Sequence, residues 1–173
     1  MRILRHLGLS AAAAVSAALL CAAPAVATVP ASAGGGGHPP YPIGREQVFD
    51  LVVHPTQASS IDVGTPGPSQ GDEFVISGDL LKGSATVGTF GEVCTLTRVG
   101  PVTDSFDQQC VGTLVLPDGD ITFQGLISVT AAGPGDINVA ITGGTGRYRT
   151  AHGFIHAVIT NTMDTNLTVH LIL

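Results

Sequence analysis

Positive charge is scarce in this chain of 173 residues: seven lysines and arginines stand against thirteen acids. Two of the seven, Arg2 and Arg5, fall in the N-terminal leader, so the remainder carries five bases against thirteen acids, a net charge near −8. That balance excludes nucleic acid and anionic membrane surfaces as partners. Arg147 and Arg149 flank Tyr148, but two arginines and one aromatic make a rim, whereas a phosphate groove needs many more contacts. Charge of either sign is also sparse, 12% of residues against 44% apolar. Some strand faces that would meet solvent must therefore be covered, by oligomer contacts or by an apolar lumen.

No apolar run is long enough to span a membrane. Arg2 and Arg5 precede Leu7 to Leu20, which is too short and wrongly flanked for a span, and Ala25-Val26-Ala27 supplies small residues for cleavage. Residues 1–27 read as a secretory signal peptide, which makes the protein extracellular with no stable membrane anchor. Cys21 follows the bulky Leu20, where a lipidation site takes a small residue. Residues 28–44, with Gly34 to Gly37, Pro39-Pro40 and Pro42, bury too little surface to order themselves and read as a disordered linker. Residues 45–173 remain, long enough for one core and one domain.

Cysteine is nearly absent. Beyond the leader only Cys94 and Cys110 occur, and a lone pair in an oxidising compartment closes. Pairing residues whose numbers sum to 204 sets Cys94 opposite Cys110 and Leu96 opposite Gln108, with Gly100-Pro101 near the turn. A hairpin of that register brings the β-carbons to disulfide distance.

Helical periodicity is missing as well. Ile121, Phe123, Ile127 and Val129 alternate with Thr122, Gln124, Ser128 and Thr130, and Leu167, Val169, Leu171 and Leu173 alternate with polar residues. The pattern predicts eight strands: Gln47 to Val53, Glu73 to Leu81, Gly83 to Thr89, Glu92 to Val99, Asp107 to Leu116, Ile121 to Val129, Asp136 to Thr142 and Thr150 to Thr160. Leu167 to Leu173 is a further possibility. Asp118-Gly119 signals a type I′ hairpin, Gly133-Pro134-Gly135 interrupts any ladder, and Gly64 to Pro68 forbids regular structure. Short strands without helical crossovers indicate an all-β antiparallel sheet, and closure into an eight-stranded barrel removes edges that so apolar a chain could not expose. Such a barrel has room for one small ligand.

Several chemistries fail on spacing. His152 and His156 stand four apart, about 13 Å on a strand, which argues against a metal site, and His54 and His170 show no ligand pattern. Gly144-x-Gly146 is half a dinucleotide fingerprint and opens no helix. Ser59-Ser60, His54 and Asp62 are triad residue types without a nucleophile elbow. Neither metal nor cofactor is expected.

The run Ile141-Thr142-Gly143-Gly144-Thr145-Gly146-Arg147-Tyr148, followed by Ala151-His152-Gly153-Phe154, carries the strongest signature. With Gly71-Asp72-Glu73-Phe74-Val75-Ile76, Val87-Gly88, Val93-Cys94-Thr95-Leu96 and Asp118-Gly119-Asp120-Ile121-Thr122-Phe123-Gln124-Gly125 upstream, it resembles the allene oxide cyclase barrel, over roughly Val48 to Leu173. The sibling dirigent proteins share the Gly-Gly-Thr-Gly turn and the following Ala-x-Gly. The resemblance implies a calycin-type barrel whose lumen folds a flexible substrate for a cofactor-free cyclisation or isomerisation, and it favours a homo-oligomer, specifically a trimer. Asp50 resembles the family's inward acid, and Cys94 occupies the place of a cavity-lining cysteine. The chain departs from both families: Arg147 stands where dirigent proteins place an acid, and Gly78 and Ile127 fall where the cyclase has asparagine and tyrosine.

The expected site is thus Asp50, His152 and His156 as catalytic groups, with Phe123, Ile127, Phe154 and Asp79 against the ligand and His54 as a weaker candidate. On the strand of Thr150 to Thr160, His152, Phe154, His156 and Val158 share one face, which is assigned to the lumen because the opposite, aliphatic face suits sheet packing. The alternative is a non-catalytic structural or lipid-carrying barrel.

Overall fold

The computed structural model describes residues 44–101, 105–160 and 164–173. The proposed signal peptide, residues 1–27, and the linker up to residue 43 lie outside the described residues. Eight strands follow in chain order: β1 (Gln47–Ile61), β2 (Glu73–Lys82), β3 (Ala85–Val99), β4 (Phe106–Leu116), β5 (Gly119–Val129), β6 (Ile137–Gly144), β7 (His152–Ile159) and β8 (Thr165–Ile172). Each pairs antiparallel with the next, and β1 closes on β8 from Gln47 opposite Leu171 to Val53 opposite Thr165. The result is a closed antiparallel eight-stranded barrel.

Two strand boundaries differ from those expected. The separate strands predicted over Gly83 to Thr89 and Glu92 to Val99 are one continuous β3, because Gly91 pairs in register with Ser77 and Thr113 and breaks neither ladder. The possible ninth strand is therefore β8, which supplies the closing partner for β1. The β3–β4 register holds at the sum of 204 from Thr89 opposite Val115 to Leu96 opposite Gln108, then shifts at a bulge before Arg98. Cys94 and Cys110 are joined by a disulfide across that ladder, with a Cα separation of 4.0 Å.

The barrel's two ends are unlike. At the end built from the β2–β3, β4–β5 and β6–β7 connections, Leu80, Leu114, Ile121 and Leu171 are fully buried and fill the interior. Each such side chain stabilises the fold by about 2 kcal/mol through the apolar area removed from water. Residues 143–148 form the plug over this end. The chain does not make a tight two-residue reversal there. β6 ends at Gly144, a single 3-10 turn covers Gly146–Tyr148, and β7 starts at His152.

This segment docks on the β4–β5 turn. The amides of Thr145 and Arg147 donate to the carbonyls of Asp120 and Asp118, at 3.0 and 2.9 Å, and the Thr145 hydroxyl donates to the Asp120 carboxylate at 3.0 Å. Gly144 must lack a side chain because a Cβ there would collide with the carbonyl oxygens of Asp120 and Tyr148. Gly146, at φ +55°, adopts a left-handed backbone while pressed against Asp118. The Gly-Gly-Thr-Gly signature is thus explained by close backbone approach at the closed end.

Candidate functional site

Toward the other end the interior opens into a cavity of about 560 Å³. Its floor is Phe90, Leu114, Phe123, Val139 and Ile155, and its walls rise through Ile76, Cys94, Gln108, Ile127, Ala157 and Leu167 to a mouth at Gln57, Phe74, Val129, Pro134 and Ile159. The seam between β5 and β6 is paired only over Ile121 to Gln124, so the upper part of β5 meets the Pro134 segment at the mouth without a ladder. This volume falls in the range of small-molecule sites, which are largely apolar with a few polar groups.

Strand parity decides what faces this space. On β3 the inward series is Phe90, Glu92, Cys94, because Phe90 and Cys94 are buried and alternation carries Glu92 with them. Among the described residues, Glu92 is the single ionisable side chain lining the cavity, and Thr56, Gln57, Gln108 and Thr165 are its only other polar companions. Opposite it on β4 stands Gly112, and the Phe123 ring occupies the space a Cβ there would take. On the β2 side Glu92 pairs with Ile76. Its Oε1 lies 3.5 Å from Cys94 Sγ, which as a disulfide sulfur has no proton to donate. Desolvation by these apolar neighbours pushes the Glu92 carboxyl up from 4.5 to about 7. Glu92, Cys94 and Cys110 place their ligand atoms within 4.8 Å of one another. With both sulfurs in a disulfide, the trio offers a metal no thiolate.

The residues expected to form the site fall into two sets. Phe123 and Ile127 line the cavity. Asp50, Asp79, His152, Phe154 and His156 face outward. Asp50 is exposed and accepts a hydrogen bond from the Thr168 hydroxyl at 2.9 Å. Asp79 alternates with fully buried Leu80. His152 touches its own loop through the Thr150 carbonyl at 3.2 Å, and His156 Nε2 sits 3.9 Å from Asp136. Phe154 stacks on His170, ring centroids 4.3 Å apart and ring planes nearly parallel, on the outer wall.

The assignment of the histidine face to the lumen is corrected by closure. In a closed wall the inward face of β7 must pack against Leu167 and Val169 of β8, and aliphatic Ile155 and Ala157 do that while the histidines keep their water. His54, at the bulged part of β1, is also outside and meets Asp164 at 2.7 Å.

Glu92 went unnoticed in the sequence because a lone glutamate between Gly91 and Val93 reads as a solvent-facing strand residue. Its parity with Cys94, the residue that resembles a cavity-lining cysteine, was the signal available.

A family model described as the allene oxide cyclase barrel like domain matches residues 52–173. The chain belongs to this family. Among solved structures, a pyocyanin demethylase shares 30% identity over 72% of this chain and 99% of that one, with a TM-score of 0.64. The Diels Alderase AbmU from Streptomyces koyangensis shares 18% identity over 74% and 67% of the two chains, TM-score 0.56. A nonspecific heme-binding cyclase that catalyses a [4 + 2] cycloaddition shares 19% over 73% and 62%, TM-score 0.56. The last two, at such identity, share the fold alone. No curated protein matches the chain.

Proposed function

We propose that this barrel holds a small hydrophobic molecule in its lumen and steers a cofactor-free cyclisation or isomerisation there, with Glu92 as the group that moves a proton. The observation that carries the reading is an apolar cavity of about 560 Å³ with one carboxyl set into its wall near neutrality. A rigid apolar wall restricts a flexible substrate to few conformers, which lowers a barrier by several kcal/mol through entropy already lost on binding. A carboxyl titrating near pH 7 is divided between acid and base forms, the condition under which one group can both take and return a proton as bonds rearrange. The neighbouring pyocyanin demethylase, with its length covered almost completely, supports enzymatic use of such a lumen. Of Asp50, His152 and His156, none reaches the lumen, so their proposed part is confined to the outer wall.

Export is part of the proposal, supported by the signal-like residues 1–27 and by the disulfide. So is self-association, specifically as a trimer: Val48, Val111, Leu126 and Val158 are each about half exposed on the outer wall. A light-scattering mass of one chain at micromolar concentration would remove that part of the reading.

Cyclisation and isomerisation conserve mass, and this sets the test of activity. Small apolar molecules extracted from the barrel's native medium are incubated with the parent and with Glu92→Gln, then separated by chromatography with mass detection. A product of unchanged mass and shifted retention, formed by the parent and lost in the variant, is expected. Ligands that bind and are recovered unaltered from both would make the protein a carrier.

A further inference from the structure

The bridge between Cys94 and Cys110 does more than staple β3 to β4, because it stands in the wall of the lumen. Phe90, Glu92 and Cys94 point inward from β3, and Cys110 and Leu114 from β4, so both sulfurs and the Glu92 carboxyl share one face. Their ligand atoms lie within 4.8 Å of one another. Cys110 is fully buried and Cys94 nearly so, while Cys94 and Glu92 line the cavity. The trio therefore opens on the lumen.

Glu92 is also without a hydrogen-bond donor. Among the described residues no N–H or O–H bonds to its carboxyl, and the Cys94 sulfur stands 3.5 Å from its Oε1. Buried carboxylates otherwise pair with a cation or ligate a metal. The separation from Cys94 is one a metal would set: with Zn–S about 2.3 Å and Zn–O about 2.0 Å, the sulfur-to-oxygen edge of a tetrahedron is about 3.5 Å. The sulfur-to-sulfur edge is about 3.8 Å, which two unbonded cysteines at facing strand positions reach by turning their side chains. Two thiolates balance the charge of a divalent ion, the carboxylate adds a third ligand, and a fourth position faces the cavity. Thiolate donors select zinc-like ions over calcium and magnesium.

We propose that, with the bridge open, Glu92, Cys94 and Cys110 form a three-ligand site for one thiophilic divalent cation of the zinc class, its fourth position facing the lumen, and that closing the bridge expels the ion. The chain is made with both cysteines as thiols, and any compartment that keeps thiols reduced leaves the site open. The ion displaces one proton from each thiol as it binds. A dithiol regenerates this state from the bridged protein: it supplies two electrons and two protons, becomes a disulfide itself, and leaves Cys94 and Cys110 as thiols. In the other direction diamide, a diazene oxidant, takes one electron from each thiolate and two protons from water to become a hydrazine; the S–S bond reforms and the ion leaves. The proton transfer proposed for Glu92 belongs to the bridged form and stands or falls separately.

The test uses the full chain with Cys21→Ser throughout, so that the leader thiol contributes nothing. The protein is reduced with dithiothreitol, desalted without oxygen and titrated with Co²⁺ as a spectroscopic probe, then with Zn²⁺ against a chromophoric chelator. The reduced parent is expected to show thiolate-to-cobalt charge transfer with the visible bands of tetrahedral cobalt, and to bind one zinc per chain. The bridged parent and the reduced Cys94→Ser variant should show neither. Removing a ligand in Glu92→Gln should weaken zinc at least tenfold, which two thiolates on a disordered chain would not register. Diamide should release the zinc as the bridge reforms.

Should reduction unfold the barrel, zinc is expected to restore its strand circular dichroism in the parent and not in Cys94→Ser, because binding favours the folded form. Absence of the charge-transfer band in the reduced, folded parent would overturn the inference. So would zinc that stays bound after the bridge reforms, an affinity in Glu92→Gln less than tenfold weaker, or an unfolded reduced chain that zinc does not refold.

Discussion

Removing the charge of Glu92 should stabilise this protein, by an amount that depends on pH in a defined way. In the unfolded chain a glutamate titrates at about 4.5, and in the barrel Glu92 titrates at about 7. The folded state therefore holds its proton more tightly. Below about pH 4 both states are protonated and the group contributes nothing to the pH dependence. As pH rises from 4.5 to 7 the unfolded state ionises first, and stability falls. Above 7 the penalty is constant, at about 1.4 kcal/mol for each tenfold difference in proton affinity, or about 3 kcal/mol in all.

Water entering through the mouth makes that figure an upper bound. Glu92→Gln keeps the shape and loses the charge, so at pH 8 it should unfold up to about 3 kcal/mol harder than the parent. For a domain of this size that is roughly 10 °C in Tm. At pH 4 the two should coincide to within about 0.5 kcal/mol. Thermal unfolding followed by circular dichroism from pH 4 to 9, disulfide intact in both proteins, gives the difference curve directly. A difference that stays flat over this range would mean that Glu92 is not desolvated, and the site reasoning would fail with it.

Three further outcomes follow from the geometry. The disulfide closes a loop across sixteen positions, so replacing Cys94 and Cys110 by alanine should cost about 3 kcal/mol in chemical denaturation; thiol counting on the unfolded full chain without reductant should find Cys21 alone, and three reactive thiols would contradict the bridge. Gly144→Ala forces a Cβ into the Asp120 carbonyl and should destabilise by at least about 2 kcal/mol, while leaving dye affinity of the folded fraction intact; a parental Tm would show that the plug is not tightly docked. Ala157→Phe, which projects a ring into the cavity from β7, should abolish binding of a neutral apolar dye, whereas Asp50→Asn and His152→Ala on the outer wall should leave it within twofold. The reverse pattern would move the site to the outside.

How much of this was legible in the sequence depends on whether local alternation or closure decides the matter. The β3–β4 hairpin could be read from two cysteines and a register sum because cross-strand pairing is a local relation that a turn fixes. The Gly-Gly-Thr-Gly run identified the family, but its reason, the press of Gly144 and Gly146 against the Asp118 to Asp120 backbone, joins segments 25 residues apart and so could not be seen. The break expected at Gly91 was misplaced because a glycine punctuates only where the ladder ends, and here both neighbours continue past it.

Inside and outside are a different kind of question. Alternation sorts β7 into a histidine face and an aliphatic face with certainty, yet it is symmetric to their exchange, since either face can meet a sheet neighbour. Only closure, which gathers one face from all eight strands into a single small volume, breaks that symmetry. It turns Ile155 and Ala157 inward beside Leu167, sends His152, Phe154 and His156 to the outer wall, and brings Glu92 into the lumen. The strands, their order and the cross-link are thus properties of the chain's local pattern. The site belongs to the tertiary structure, because desolvating one carboxyl requires walls contributed by strands that are distant in sequence.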